Sequence, residues 1–205
     1  MYNAIRMIMN SGSILGYFLQ VVPITAVVAA VYSVVRLFLL KKKNKPILWG
    51  KEAVQLVFVC YLTGLFNLIV MPANFWLCFM DGVAFGWWDE MGALFSFSGF
   101  NLMPTLLLCL RGEYAMGSWV KAMLIGNIAM FFPLGFLLPF VTEKISSKNI
   151  WAIAVLVPLA MELLQMFLGR CFDIDDLICN FAGIVIGFQF ALLLKNSCCK
   201  KQTAG

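Results

Sequence analysis

Histidine is absent from the 205 residues, and charge is scarce: 15 Lys and Arg and 10 Asp and Glu make up 12% of the chain. Without imidazole, histidine acid–base chemistry and His-ligated metal sites are excluded. A soluble globular domain carries about 25% charged residues, so that class is excluded as well. The seven cysteines, Cys60, Cys78, Cys109, Cys171, Cys179, Cys198 and Cys199, show no zinc-site spacing. There is no internal repeat and no low-complexity tract. A cleaved leader is not expected either. Arg6 alone supplies early positive charge, and the apolar stretch from Ile14 to Leu40 is too long for a signal-peptide core.

What is present is apolar length. Hydrophobic residues make up 62% of the chain, and several runs reach the roughly 20 helical residues needed to cross a hydrocarbon core. The expected fold class is all-α: a polytopic transmembrane helix bundle of about five spans with an interfacial or re-entrant segment. The spans are expected near Ile14–Leu40, Ala53–Met71, Ala122–Val141, Ile150–Leu168 and Asp176–Leu194. Pro23 should kink the first span, and Gly126, Pro133, Gly135 and Pro139 should make the third irregular. The segment 72–121 is rich in aromatic residues, and within it Leu102–Leu110 is apolar but too short to span, as an interfacial or re-entrant piece would be. The organisation is read as an N-terminal helix with a basic loop (1–50), a transmembrane domain (51–195) and a basic tail (196–205).

The net charge of +5 does not point to nucleic acid, because the basic residues border apolar helices. Lys41, Lys42, Lys43, Lys45 and Lys51 follow the first span, Lys144 and Lys148 follow the third, and Lys195, Lys200 and Lys201 follow the fifth. Alternation puts all three groups on one side, which the positive-inside rule makes the cytoplasm. The N-terminus is then outside, the C-terminus cytoplasmic, and segments 72–121 and 169–175 face outward. Cys60 and Cys179 lie within apolar runs and are read as inert. A disulfide among Cys78, Cys109 and Cys171 is one open option, and Cys198 and Cys199 give a weak acylation signal.

The stretch from Glu162 to Gly183 holds Glu162, Arg170, Asp173, Asp175 and Asp176 within an otherwise apolar region. A carboxylate at the centre of a membrane helix costs about 2.5–3.5 kcal/mol on insertion scales, so these residues demand an explanation. Glu162 and Gln165 share a helical face, roughly 9–10 Å below the outer end of their span in the case of Glu162. On a helix beginning near Asp173, the residues Asp173, Asp176, Asn180, Gly183 and Gly187 share a stripe about 80° wide. Gly183 and Gly187 form a small-xxx-small packing pair. Asn127 on the third span falls at similar depth. Arg170 is the nearest cation and can pair with a carboxylate.

Several readings of this set stay open. Asp173 and Asp176 suit a helix N-terminus. Asn127, Gln165 and Asn180 suit interhelical hydrogen bonds. An Arg170–carboxylate pair can lock two helices. Glu162, Asp173, Asp175 and Asp176 can hold a hard divalent cation. The acids and amides together can instead grip the headgroup of a lipid or an amphiphilic antibiotic.

Four sequence blocks stand out: Asn101-Leu102-Met103-Pro104, the run GNIAMFFPLGFLLP from Gly126 to Pro139, Glu162-Leu163-Leu164-Gln165, and Arg170–Asn180 with Gly183 and Gly187. Together they resemble the VanZ family of membrane proteins associated with teicoplanin resistance. Met103 and Cys171 depart from the expected pattern without altering its polar set. The resemblance implies a bacterial cytoplasmic-membrane protein linked to lipoglycopeptide tolerance, with no mechanism attached. Asn127, Glu162, Gln165, Arg170, Asp173, Asp175, Asp176 and Asn180 are the candidate pocket, with no cofactor and no metal expected. The expected partners are the lipid bilayer and a lipid headgroup or lipoglycopeptide antibiotic. The leading reading is a non-enzymatic protein. The alternatives are an enzyme acting on a lipid-linked or polyprenyl-phosphate headgroup and a structural or assembly protein.

Overall fold

A computed structural model describes residues 2–9, 13–72, 74–91, 95–113, 115, 117–142, 144–145 and 147–203. Its helices are α1 (Tyr2–Met9), α2 (Ile14–Lys42), α3 (Trp49–Ile69), α4 (Phe75–Phe85), α5 (Thr105–Leu110), α6 (Ser118–Val141), α7 (Ser147–Phe167) and α8 (Ile174–Thr203), with two-residue strands β1 (Phe100–Asn101) and β2 (Phe172–Asp173). Five helical segments are long and apolar enough to cross a membrane: Leu15–Lys42, Trp49–Ile69, Val120–Val141, Lys148–Phe167 and Ile174–Ser197. The protein is thus an all-α, multi-pass membrane protein, as its apolar run lengths predict.

The chain divides into two compact units. The first comprises Met1–Ile47, Val59–Gly99 and Leu163–Cys171. Here Ser13 caps α2, its hydroxyl accepting Gly16 N–H at 3.1 Å. Pro23 lies inside a helix that continues on both sides of it. Asn44 ends α2 in a left-handed conformation, φ 48°. The paired bonds Asn44 N–H to Lys41 O and Lys45 N–H to Leu40 O close the last carbonyls there. The Gln20 amide donates to Met9 O at 2.8 Å and to Asn74 Oδ1 at 2.9 Å, tying α1 and the start of α4 to α2.

Helix α4 was not expected as a helix. At eleven residues it rises roughly 16 Å, too little to span. Trp76 Nε1 anchors it by donating to Asn67 Oδ1 at 2.5 Å. Its buried Asp81 pairs with Arg6 of α1 at 2.9 Å, and the guanidinium also lies 5.3 Å from the Trp87 ring centroid. Farther along the chain, Ser96 N–H bonds Phe167 O and Ser98 N–H bonds Met166 O, so an extended segment runs parallel to the end of α7.

The second unit comprises Leu48–Phe58, Phe100–Glu162 and Phe172–Gly205. Its core is a parallel pair, α6 and α8, brought into backbone contact by glycine. A Cβ on Gly183 would overlap the Ile128 carbonyl oxygen, one on Gly187 that of Phe132, and one on Gly135 that of Ile184. Such approach is the usual means of association where no water drives helices together. Phe131, Ile184, Phe188 and Ala191 fill the seam. Helix α6 runs unbroken through Pro133 and Pro139 rather than becoming irregular. In a bilayer the helix is the only open conformation, and neighbours can re-satisfy the groups proline frees. The Lys195 ammonium donates to Pro139 O near the end of α6, where the helix dipole is negative. Strands β1 and β2 pair in parallel, Phe100 with Phe172 and Asn101 with Asp173.

No disulfide joins the described cysteines Cys60, Cys78, Cys109, Cys171 and Cys179. That removes the Cys78, Cys109 and Cys171 option. Cys198 and Cys199 lie outside the residues whose side chains are described.

Candidate functional site

Three acids gather where α8 begins. With Ile174 the first helical residue, Asp173 occupies the N-cap position, and its Oδ1 accepts Asp175 N–H at 2.8 Å. Asp175 and Asp176 occupy the first turn, where the positive end of the helix dipole stabilises negative charge. The capping role foreseen for Asp173 is therefore real, but it does not use up the carboxylates.

Each acid also reaches another segment of the second unit. Asp173 Oδ2 accepts Asn101 Nδ2 at 3.0 Å, next to the β1–β2 pairing that sets those residues opposite one another. Asp175 Oδ2 accepts Thr105 N–H at 2.6 Å, at the first residue of α5. Asp176 Oδ1 accepts the Asn127 amide from α6. Glu162 Oε2, from α7, accepts Asp173 N–H at 3.2 Å. Asn127, Glu162, Asp173, Asp175 and Asp176 thus form one hydrogen-bonded network, extended by Asn101 and Thr105.

The network is buried at Glu162 and Asp175 and half-buried at Asn101, Thr105, Asn127, Asp173 and Asp176. Glu162 is 1% exposed, Asp175 3% and Asn180 2%. Asn180 lies one turn beyond Asp176 on α8, and its side-chain oxygen accepts no hydrogen bond among the described residues. A buried polar atom without a partner costs about 1–3 kcal/mol, which marks this turn as a place where the fold is not optimised for stability alone. Asp173 and Asp175 have amide and backbone donors and no ion pair among the described residues. The arrangement can present negative charge and acceptor oxygens to a ligand. No group of three or more Cys, Asp or Glu among the described residues is placed to hold a metal ion, so the divalent-cation reading lacks geometric support.

Gln165 and Arg170 belong to the first unit and do a different task there. Gln165 Nε2 donates to Ile69 O at 2.9 Å, and an Arg170 guanidinium nitrogen donates to the same oxygen at 2.6 Å. Ile69 is the last residue of α3, so the two donors satisfy a terminal carbonyl and place a cation at the negative end of the helix. Among the described residues Arg170 forms no ion pair with a carboxylate, so that one of the open readings gains no support. A strong carbonyl acceptor was invisible in the sequence because every residue carries one.

Asn101 and Thr105 were not among the candidate residues. Asn101 was visible as part of the NLMP block, but its link to Asp173 depends on strand pairing across 72 positions. Thr105 contributes a main-chain N–H, which residue type does not announce. The pair between half-exposed Arg6 and buried Asp81 was likewise unforeseen, since an acid in an aromatic segment resembles an exposed loop residue.

No curated protein and no solved structure matches the chain significantly. A family model described as VanZ/LLP1 matches residues 58–195, a range that contains every residue of the network and both donors to Ile69. By that match, over more than half its length, the chain belongs to the VanZ/LLP1 family.

Proposed function

We propose that this VanZ/LLP1 protein limits the action of teicoplanin-like lipoglycopeptides at the outer face of the bacterial cytoplasmic membrane, without itself catalysing a reaction. The supporting observation is the partly buried carboxylate–amide network of Glu162, Asp173, Asp175, Asp176, Asn101 and Asn127, built where α8 starts. The charge count of the loops favours an outward position for this end of α8. Lipoglycopeptides carry an acyl chain that holds them at that surface. A polar site at outer-leaflet depth that engages them, or the lipid beside them, weakens that anchoring. Gln165 and Arg170 are proposed to contribute by fixing the end of α3.

The test is tolerance in a susceptible host expressing the chain at matched levels. Glu162→Gln and Asp176→Asn keep side-chain size and remove charge. Each is expected to return the teicoplanin inhibitory concentration to that of the empty host, with a glycopeptide lacking the acyl chain unaffected throughout. Unchanged tolerance in both variants, at equal membrane abundance, would remove these residues from the site.

A further inference from the structure

Asn180 and the acids before it on α8 share one deficit, which is donors. Those that reach Asp173 and Asp175 are the Asn101 amide, Thr105 N–H and Asp175 N–H, all neutral. Neither acid has an ion pair among the described residues. The Asn180 side chain is 2% exposed, and its oxygen accepts nothing among the described residues. Helical spacing places it on the same face, four residues after Asp176, roughly 6 Å along the axis and about 40° around it. On that face Asp176 takes the Asn127 amide of α6, and Gly183 lies against the Ile128 carbonyl of α6. Asn180 stands between these two contacts, so its oxygen is aimed into the same α6–α8 side that Asp176 enters. Asp173 and Asp176 are half-buried, which leaves that side reachable from the start of α8.

Ionised carboxylates only accept hydrogen bonds. A phosphate group would add acceptors and negative charge to a turn that already has both in excess. An ammonium brings the opposite set: three N–H donors, one positive charge and no acceptor. Resting on the reading of this network as a ligand site, we propose that the group it recognises is a primary ammonium, with one N–H on the Asn180 oxygen and its charge facing the carboxylates of Asp173, Asp175 and Asp176. An amine-bearing lipid headgroup and a free amphiphilic amine both carry that group.

The full chain, purified in detergent, is offered phosphatidylethanolamine or its N-acetyl derivative, which has lost the positive charge, and retained lipid is read by native mass spectrometry. The amine form is expected to be retained roughly tenfold over the amide, the lower end of what a hydrogen bond to a charged group contributes. Dodecylammonium added in competition separates the two sources: displacement shows that a free amphiphilic amine fills the site, and persistence assigns it to the lipid headgroup. Asn180→Leu keeps side-chain size and removes the acceptor. It is expected to lower the preference severalfold while the melting temperature holds or rises, because an unpartnered oxygen leaves the core. Asp173→Asn keeps an oxygen for Asp175 N–H, removes one charge and is expected to lower the preference severalfold as well. If Asn180→Leu melts below the wild type, Asp173→Asn alone decides. Equal retention of the two lipids by the wild type overturns the ammonium site, and so does a full preference in the deciding variant. Antibiotic tolerance without amine preference removes this site alone, whereas amine preference without tolerance removes the antibiotic role alone.

Discussion

Asp175 shows how much one side chain in this network holds. Its carboxylate is 3% exposed and accepts Thr105 N–H at 2.6 Å, while its own N–H goes to Asp173. Thr105 begins α5, where the first N–H groups have no partner within the helix. Asp175→Ala leaves that N–H without its acceptor, and a hydrogen bond to a charged group is worth about 1.5–3 kcal/mol, so a destabilisation in that range is expected. Asp175→Asn keeps an oxygen in place and is expected to cost about 1 kcal/mol or less. Unfolding of the detergent-solubilised variants would show the difference, and equal losses would mean that the bond to Thr105 contributes little. At this scale the sequence disclosed identity and missed partnership. Glu162 and the Asp173–Asp176 run stand out as charge in an apolar chain, and Asn127 pairs with Asp176 at a depth that helical rise predicts. For Arg170 opposite charge suggested a carboxylate as one option, whereas the structure gives it the end of α3.

The α6–α8 pair is the element on which the second unit depends, and its spacing is set by glycine. Gly183 and Gly187 were legible as a small-xxx-small stripe, but the partner helix was not. Only the backbone shows that Gly135 of α6 answers them from the other side. Adding a methyl at Gly183 drives it into the Ile128 carbonyl, and since that neighbour is backbone, the helices must separate. Gly183→Ala is expected to destabilise by about 1–3 kcal/mol, the usual cost of overpacking. Gly126, also on α6, has nothing within 4 Å of where a Cβ would stand. Gly126→Ala should therefore gain up to about 1 kcal/mol of helix propensity. Opposite shifts in melting temperature for the two variants are the expected result, and a neutral Gly183→Ala would show that the seam tolerates separation. The long helices were legible because apolar length alone identifies them. Helix α4 was not, because eleven residues containing Asp81 and Gly82 match neither a span nor an amphipathic surface helix.

For the whole molecule, the question that governs function is which end of α8 faces out. If all five candidate spans among the described residues cross the membrane, the odd number puts the two ends of the chain on opposite sides. The two short helices between α3 and α6, eleven and six residues long, rise roughly 16 and 9 Å and leave that count unchanged. The direction we propose follows lysine density, since Lys41, Lys42, Lys43, Lys45 and Lys51 border α2 and α3 on one side, whereas Arg111 and Lys121 are the basic residues of the segment 72–121. In a cysteine-depleted chain, Glu113→Cys is expected to react with a membrane-impermeant maleimide on intact cells. Lys45→Cys should react only after permeabilisation. Both positions are exposed in the fold, so accessibility within the protein does not confound the comparison. The opposite pattern would place the start of α8 in the cytoplasm. The carboxylate–amide network would then face away from any extracellular antibiotic, and a role at the outer surface would fail with it.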